Sequence, residues 1–214
     1  YRDYTITENT LRGSGSTPTG IYLTGSDAAN LRVLNYTISG NTVLETTGDA
    51  ILINDFVRNG TISGNTINNT LGDNSNVTAN GIHLVSGTVA AAECVVEGNS
   101  IINSIRGVYI EGGSALRAAN IACNGNRIQY IGRSVAAAND FDGQGSIAIA
   151  ALNGQDLTFN GNQISNIGRL QNSDGTAYSP TGANLSAQGI LLWNTDRFVA
   201  SGNTLTAIQK TGTA

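Results

Sequence analysis

The sequence predicts an all-β fold, a right-handed parallel β-helix of about seven coils with an asparagine ladder at one turn. Three observations predict it: a composition rich in Gly and Asn, a Gly-Asn motif that recurs along the chain, and short alternating strands between the motifs. Only 12% of the 214 residues are charged and 40% are hydrophobic, which argues against both a helical bundle and a disordered chain. The net charge of −4 and the lack of long apolar runs give no reason to expect a nucleic-acid partner or a membrane-spanning helix.

A Gly-Asn-x-aliphatic motif occurs six times, and a degenerate copy with Glu8 in place of Gly precedes the six. The seven Asn residues of the motif are Asn9, Asn41, Asn65, Asn99, Asn126, Asn162 and Asn203. Apolar residues stand three and usually five positions before each Asn, as in a strand with one buried face. Gly and Asn both tolerate left-handed backbone angles, so the pair is expected to turn the chain. Stacked repeats would then align the Asn side chains in a hydrogen-bonded ladder.

A second element, in which a small residue is followed by aliphatic, variable and aliphatic residues, stands between the Asn motifs. Its six copies begin at Gly20, Ala50, Gly81, Gly107, Ser146 and Gly189. The distance from this element forward to the next Asn varies little, whereas the distance from Asn forward to this element varies widely. Insertions at one edge of a constant coil are typical of a solenoid. The irregular spacing excludes a leucine-rich repeat, and the recurrence of one turn motif disfavours a β-sandwich.

The Ile-Ser-Gly-Asn-Thr-Ile string at 62–67 and the Gly-Ile-x-Leu strings, such as that at 20–23, resemble the repeats of the pectate-lyase-like β-helix superfamily. The resemblance covers nearly the whole chain, so we expect one β-helix domain over residues 1–214. Because Tyr1 enters in the middle of a repeat, we expect this domain to be a segment of a longer chain. The superfamily includes polysaccharide lyases, hydrolases, epimerases and bacteriophage tailspikes, which implies an extracellular protein that is secreted, held at a cell surface or carried on a virion.

Three rows of residues are expected on the outer face of the second-element strands, because successive side chains of a strand point to opposite faces. The row between the aliphatics contains Tyr22, Leu52, His83, Tyr109, Ala148 and Leu191. The row before the small residue contains Thr19, Asp49, Asn80, Arg106, Gly145 and Gln188. The row after the aliphatics contains Thr24, Asn54, Val85, Glu111, Ala150 and Trp193. The middle coils therefore gather seven polar side chains, between insertions at 66–80 and 127–145.

Five of these residues are candidate catalytic residues, namely Asp49, His83, Arg106, Tyr109 and Glu111. The mixture suits a sugar acid, because Arg pairs with a carboxylate in a fork and Tyr and His move protons and pack on pyranose rings. Asp and Glu supply an acid and a base, and the single His titrates near neutrality. Candidate substrate-binding residues are Asn54, Asn80 and Tyr22, together with Tyr178 in the insertion at 163–189 and Trp193 beside that insertion. The alternative is an exposed face whose polar residues are merely neighbours across coils.

The sequence therefore predicts a β-helix that binds a polysaccharide, with or without cleaving it by lyase or hydrolase chemistry. The alternatives are a phage tailspike or fibre receptor-binding module, commonly a homotrimer, and a non-catalytic structural spacer or adhesin. No cofactor is predicted, because Asp140 and Asp142 are the nearest approach to the carboxylate cluster that a Ca²⁺-dependent lyase needs. Cys94 and Cys123 are offset by two residues in adjacent coils, which predicts two buried free thiols.

Overall fold

A computed structural model of the chain describes residues 2–13, 19–25, 33–70, 79–86, 92–113, 116–132, 146–171, 177–178 and 187–208. Within these ranges the secondary structure is made of strands alone, numbered β1 to β22 in chain order. No helix in them is long and apolar enough to cross a membrane. The fold is therefore all-β, as the composition predicts.

The strands form three parallel sheets, which we name A, B and C. Sheet A contains β1 (Arg2–Thr7), β4 (Val33–Ser39), β7 (Val57–Ser63), β10 (Ala92–Glu97), β13 (Ala118–Asn124), β16 (Gly154–Asn160) and β21 (Asp196–Ser201). Sheet B contains β2 (Thr10–Arg12), β5 (Thr42–Leu44), β8 (Thr66–Thr70), β11 (Ser100–Ser104), β14 (Arg127–Ile131), β17 (Gln163–Ile167) and β22 (Thr204–Ile208). Sheet C contains β3 (Ile21–Leu23), β6 (Ile51–Ile53), β9 (Asn80–Ser86), β12 (Arg106–Gly112), β15 (Ser146–Leu152) and β20 (Ala187–Trp193).

The chain visits sheets A, B and C in turn, and one such visit forms a coil. Sheets A and B each contain seven strands, so the described residues form seven coils, as the seven Asn motifs predict. The remaining strands, β18 (Leu170–Gln171) and β19 (Ala177–Tyr178), pair antiparallel with each other in the insertion between β17 and β20. The parallel β-helix is therefore confirmed.

Most of the variation in coil length lies at the corner between sheets B and C. Ile105 alone joins β11 to β12, whereas residues 132–145 join β14 to β15 and residues 168–186 join β17 to β20. The corner between sheets A and B contains two residues in every coil. Asn80 and Arg106 are the first residues of their sheet C strands, so the variable corner borders the start of sheet C.

The core consists of columns of inward side chains that stack in register from coil to coil. One column contains Ile38, Ile62, Val96, Cys123 and Phe159, all of them fully buried. Full burial of an aliphatic or aromatic side chain of this size stabilises a fold by about 1.5–3 kcal/mol. The core therefore follows directly from the apolar residue three positions before each Asn.

A neighbouring column of the core combines residues of very different size. Tyr36, Gly60 and Cys94 occupy one position in three successive coils. A Cβ atom on Gly60 would overlap the ring of Tyr36, so the close approach requires glycine. The Tyr36 hydroxyl donates a hydrogen bond to Cys94 Sγ at 3.1 Å. Burial raises the pKa of the Cys94 thiol to about 12, so this hydrogen bond joins two neutral groups.

The two cysteines are both buried and both free. Cys94 and Val96 both lie in β10. Val96 pairs with Cys123, whereas Cys94 pairs with Ile121. The predicted offset of two residues is present, and the prediction of two buried free thiols is confirmed. Burial raises the pKa of the Cys123 thiol as well.

The asparagine ladder occupies the corner between sheets A and B. Asn65 Oδ1 accepts hydrogen bonds from the backbone NH and the amide of Asn41, at 2.9 and 3.0 Å. The Asn65 amide donates to Asn99 Oδ1 at 2.9 Å and to the Ile38 carbonyl at 3.0 Å. Asn99, Asn126 and Asn162 repeat this pattern with their own neighbours. Each interior amide thus fills its hydrogen-bonding positions although it is buried, which removes the cost of burying it.

Only the first residue of each Gly-Asn pair is left-handed. The six glycines have φ between +61° and +64°, and Glu8 has φ +58° in the degenerate copy. The ladder asparagines do not share this conformation, although the sequence suggested that both residues would be suited to it. Gly makes the turn because it tolerates positive φ without strain, and Asn is needed for its amide.

Candidate functional site

The candidate site lies on the outer face of sheet C, where the predicted rows of side chains are largely confirmed. Tyr22 pairs with Leu52, and Leu52 pairs with His83. His83 in turn pairs with Tyr109 on the next strand, and Val85 pairs with Glu111. The coil register therefore brings the polar residues of β9 and β12 onto one face.

The register of β15 differs by two residues from the predicted one. Tyr109 pairs with Ala150 and not with Ala148, and Arg106 pairs with Ile147 and not with Gly145. Residues 147–152 are all apolar, so the alternation of apolar and polar residues could not distinguish Ile147 from Ile149 as the inward position. The row that contains Glu111 and Trp193 consequently passes through Leu152, where Ala150 was predicted.

His83 is held between two carboxylates from neighbouring coils. Its Nδ1 atom lies 2.8 Å from Asp49 Oδ2, and its Nε2 atom lies 3.1 Å from Glu111 Oε2. The side chains of His83 and Asp49 are 13% and 12% exposed, whereas that of Glu111 is 44% exposed. We name Asp49, His83 and Glu111, together with Asn80, the His83 group. It has a protected end at Asp49 and an open end at Glu111.

Asp49 is fixed by a further residue of the site, Asn80. Asp49 Oδ1 accepts a hydrogen bond from the Asn80 backbone NH at 2.9 Å and another from the Asn80 amide at 2.6 Å. Both carboxylate oxygens of Asp49 are thus engaged, one by Asn80 and one by His83. Because both oxygens are held by hydrogen bonds, the carboxylate is fixed in place, and it in turn fixes the orientation of the imidazole.

The hydrogen bonds favour the charged form of the histidine. Burial alone would lower the pKa of His83, but the hydrogen bonds and the charges of Asp49 and Glu111 outweigh burial and raise it. The pKa of Glu111 is lowered, chiefly by the hydrogen bond from His83. In the charged form, which these contacts favour, the imidazolium donates one hydrogen bond to each of two carboxylates.

Tyr109 and Arg106 complete the polar part of the site. The ring centroids of Tyr109 and His83 are 4.8 Å apart, and the Arg106 guanidinium carbon lies 4.5 Å from the centroid of the Tyr109 ring. Burial raises the pKa of Tyr109 to about 12, so its phenol remains protonated at neutral pH. Burial lowers the pKa of Arg106, and the charges of Glu111 and Asp49 oppose this shift.

Arg106 is a buried cation that lies against the Tyr109 ring. It is 3% exposed, and its Nε atom has no hydrogen-bond partner in the described part of the chain. No ion pair joins its guanidinium to a described carboxylate. The charges of Glu111 and Asp49 favour the charged form of Arg106 from beyond ion-pair distance and oppose the effect of burial.

An apolar cluster, which the sequence analysis did not predict, adjoins the polar residues on the same face. Tyr109 packs there with Ile147 and Ala150, and the partly buried Leu152 and Leu191 lie against them. The unbroken apolar run of β15 was the available signal, because a strand without alternation is covered on both faces. The outer face of sheet C is thus polar in its middle coils and apolar in the following two.

The predicted substrate-binding residues are distributed along this face. Asn80 belongs to the His83 group, whereas Asn54 donates a hydrogen bond to the Tyr22 hydroxyl at 3.1 Å and forms a separate pair. Tyr22 and Trp193 are each 54% exposed. Trp193 lies two strands beyond Glu111 in the same row, or roughly 10 Å along the axis. Tyr178 belongs to β19, but its side chain lies outside the described part of the structure.

Several other predictions concern residues outside the described ranges. The parts of the two walling insertions at 71–78 and 133–145 belong there, as do Asp140 and Asp142. Across the described ranges, no group of three or more His, Cys, Asp or Glu residues is arranged to hold a metal ion. Comparison of the chain with protein-family models, curated proteins and solved structures found no match.

Proposed function

We propose that this β-helix is an extracellular protein that binds an anionic polysaccharide along the outer face of sheet C and cleaves it by acid–base chemistry at His83. The single observation that carries the proposal is the His83 group, in which one imidazole is hydrogen-bonded to Asp49 at 2.8 Å and to Glu111 at 3.1 Å. Partly buried acid and base groups with opposed pKa shifts in contact on one surface are characteristic of catalytic sites.

The role of each residue follows from its exposure and its protonation. Glu111 is the most exposed member of the group and is ionised, so it acts as the base toward a bound sugar or a water molecule. Asp49 and Glu111 favour the protonated form of His83, which acts as the acid, with Asp49 and Asn80 as positioning residues. Acid–base catalysis of this kind accelerates a reaction by about 10²–10⁴-fold per group.

The anionic character of the substrate is inferred from Arg106. Its guanidinium has no ion pair with a described residue, and a guanidinium pairs with a sugar carboxylate or sulfate in a fork. Trp193 and Tyr22 are exposed on the same face, and aromatic rings pack well on the apolar faces of pyranose rings. The length of the face suits a chain of several sugars.

The deciding experiment is a panel of acidic and neutral polysaccharides with analysis of the products. An unsaturated product that absorbs in the ultraviolet identifies β-elimination, and new reducing ends without that absorbance identify hydrolysis. We expect turnover of an acidic member of the panel and none of its neutral counterpart. Binding without either product would contradict the catalytic part of the proposal, and no binding across the panel would contradict the whole.

Two variants test the roles of the site residues once an active substrate is known. His83→Gln removes the titrating group and should lower the rate at least about 100-fold, while Tyr109→Phe should lower it less. Gln129→Ala is the matched control, because Gln129 donates a comparable hydrogen bond across coils, to Ser165 at 2.8 Å, on sheet B. Full activity of His83→Gln would exclude His83 as the acid.

The second candidate is a receptor-binding or shaft module that binds a glycan without cleaving it, in the manner of a tailspike and as a homotrimer. The observation that favours it is that both ring nitrogens of His83 are already occupied by residues of the protein. In this case the Asp49–His83–Glu111 stack would serve to hold neighbouring coils in register. The panel separates the candidates, since this one predicts binding with no product.

A further inference from the structure

A neutral imidazole cannot maintain both contacts of His83. Its Nδ1 atom lies 2.8 Å from Asp49 Oδ2 and its Nε2 atom lies 3.1 Å from Glu111 Oε2, and an ionised carboxylate oxygen only accepts hydrogen bonds. The imidazolium donates from both nitrogens, whereas the neutral ring has one N–H group and one bare nitrogen that is itself an acceptor. Loss of one proton therefore sets two acceptors against each other, and one of the two contacts is lost.

The carboxylate of Asp49 is the one that is held more firmly. Its side chain is 12% exposed, and its Oδ1 atom accepts hydrogen bonds from the backbone NH and the amide of Asn80, at 2.9 and 2.6 Å. Asp49 cannot turn away from His83 without breaking those bonds, and a buried carboxylate that loses a partner is costly. The neutral ring is therefore expected to keep its proton on Nδ1, where it bonds Asp49.

The carboxylate of Glu111 is the one that can leave. Its side chain is 44% exposed, and His83 is its only hydrogen-bond partner among the described residues. Water can replace the imidazole there at low cost, because ion pairs at exposed groups contribute little. Glu111 stands opposite Val85, so its long side chain reaches the ring of His83 diagonally. Release of the contact restores the rotamer freedom that the contact removes.

Besides the two carboxylates, the titratable or charged groups near His83 in the described part of the chain are Tyr109 and Arg106, both on β12. The Tyr109 ring centroid lies 4.8 Å from that of His83, and the Arg106 guanidinium carbon lies 4.5 Å from the Tyr109 centroid. On the β6 side the neighbour of His83 is the apolar Leu52. Burial raises the pKa of Tyr109 to about 12, so the phenol keeps its proton while the histidine titrates.

We propose that His83 is a proton-operated switch on the outer face of sheet C, which holds Asp49 and Glu111 together as an imidazolium and, as a neutral imidazole, stays bonded to Asp49 through Nδ1 and releases Glu111. The proton that is lost comes from Nε2 and passes to water. A hydroxyl donor of a ligand can bind Nε2 only in the neutral form, because Nε2 is itself a donor in the charged form. The switch is a property of the free protein, so it is independent of the proposed function.

Nitrogen NMR tests the switch directly, because His83 is the only histidine of the chain. In the isotope-labelled protein, long-range proton–nitrogen correlations distinguish Nδ1 from Nε2 and report whether each atom carries a proton. We expect both nitrogens to be protonated at mildly acidic pH and Nδ1 alone to be protonated at alkaline pH. A neutral form protonated on Nε2, or an equal mixture of the two tautomers, would overturn the proposal.

The carboxyl carbon signals test the release of Glu111. At the pH where His83 loses its proton, the Glu111 signal should shift more than the Asp49 signal, because only Glu111 changes its partner. Glu111→Gln assigns the Glu111 signal, and in this variant Nδ1 should still carry the proton, because the Gln amide can donate to the bare Nε2. An Asp49 shift equal to or larger than that of Glu111 would contradict the release of Glu111.

Asp49→Asn should reverse the switch. The Asn oxygen can still accept from Asn80, so its amide faces Nδ1 of His83 as a donor, and the neutral ring must then carry its proton on Nε2. His83 should stay bonded to Glu111 after deprotonation, and the Glu111 carboxyl signal should shift less than in the unmodified chain. A neutral ring protonated on Nδ1 in the folded variant would overturn the proposal. The tautomer of the unmodified chain decides the proposal even if this variant does not fold.

Discussion

The asparagine ladder and the His83 group are both stacks of polar side chains bonded across neighbouring coils, yet they differ in every other respect. The ladder uses one residue type seven times, and each interior copy is buried with its amide saturated. The His83 group uses a different residue in each of three coils and opens to solvent at Glu111. The repeated Asn side chain holds the coils together. The candidate site lies where equivalent positions of neighbouring coils carry different residues.

The largest effect on stability is expected within the ladder. Asn99→Ala leaves the backbone NH and one of the two amide N–H groups of Asn65 without an acceptor, and it removes the amide that donates to the Ile62 carbonyl. Buried polar groups left unsatisfied cost about 1–3 kcal/mol each, so we expect a loss of roughly 3–5 kcal/mol in the free energy of unfolding. Chemical denaturation measures this loss.

The matched control is Asn9→Ala, at the exposed first copy of the same ladder. Asn9 loses its donations to the Asn41 and Thr7 oxygens but leaves no buried neighbour without a partner, so a loss of about 1 kcal/mol is expected. If the two substitutions cost the same, burial is not what makes the ladder strong.

A smaller loss is expected from one methyl group added to the core column of Tyr36, Gly60 and Cys94. Gly60→Ala forces the Tyr36 ring from its place, and overpacking of this kind costs about 1–3 kcal/mol. Adding Tyr36→Leu to Gly60→Ala should recover part of the loss, because the smaller side chain leaves room for the methyl. A double variant whose loss equals the sum of the two single losses would show that the ring is not the obstacle.

The smallest effect on stability is expected at His83, and it should depend on pH. The pKa of His83 is raised in the folded protein by Asp49 and Glu111, so the stabilisation is fully present below the unfolded pKa of about 6.5. It is lost as pH rises through the higher folded pKa. His83→Gln should therefore cost about 1 kcal/mol at mildly acidic pH and less at alkaline pH.

Glu111 adds the opposite slope at lower pH. Its pKa is lowered in the folded protein, chiefly by the hydrogen bond from His83, so its contribution is present above its unfolded pKa and is lost as pH falls through the folded value. Denaturation at a series of pH values should give a difference between the unmodified chain and His83→Gln that is greatest between these limits. A difference that does not vary with pH would contradict the assignment of His83 as an imidazolium.

The fold was predictable because its signal repeats. The Gly-Asn turn and the apolar residue three positions before Asn occur in nearly every coil, so the errors of single copies cancel. The same repetition predicts the register of the strands, which places Asp49, His83 and Glu111 on one face. The predicted register is wrong only at β15. Six consecutive apolar residues there include no polar position that would identify the inward face.

The contacts within the site were less predictable than its location. Row positions give the spacing of His83 from its neighbours, but the hydrogen bond from the Asn80 backbone to Asp49 depends on a corner conformation that no repeat specifies. The burial of Arg106 and the apolar cluster around Ile147 depend on what covers the face. These features depend on parts of the coil that differ from one repeat to the next. The repeats therefore give no information about them.

The two-residue corner between sheets A and B and the variable corner between sheets B and C give the molecule a constant edge and an edge open to change. Residues 71–79 enter directly before Asn80 of the candidate site, and residues 132–145 and 168–186 enter before β15 and β20, while the ladder that holds the coils lies at the other end of the sheet B strands. Loops at that corner are therefore exchangeable parts, much as the hypervariable loops of an antibody are exchanged on a fixed framework. Ligand preference could change by insertion or deletion there without a single substitution in the core.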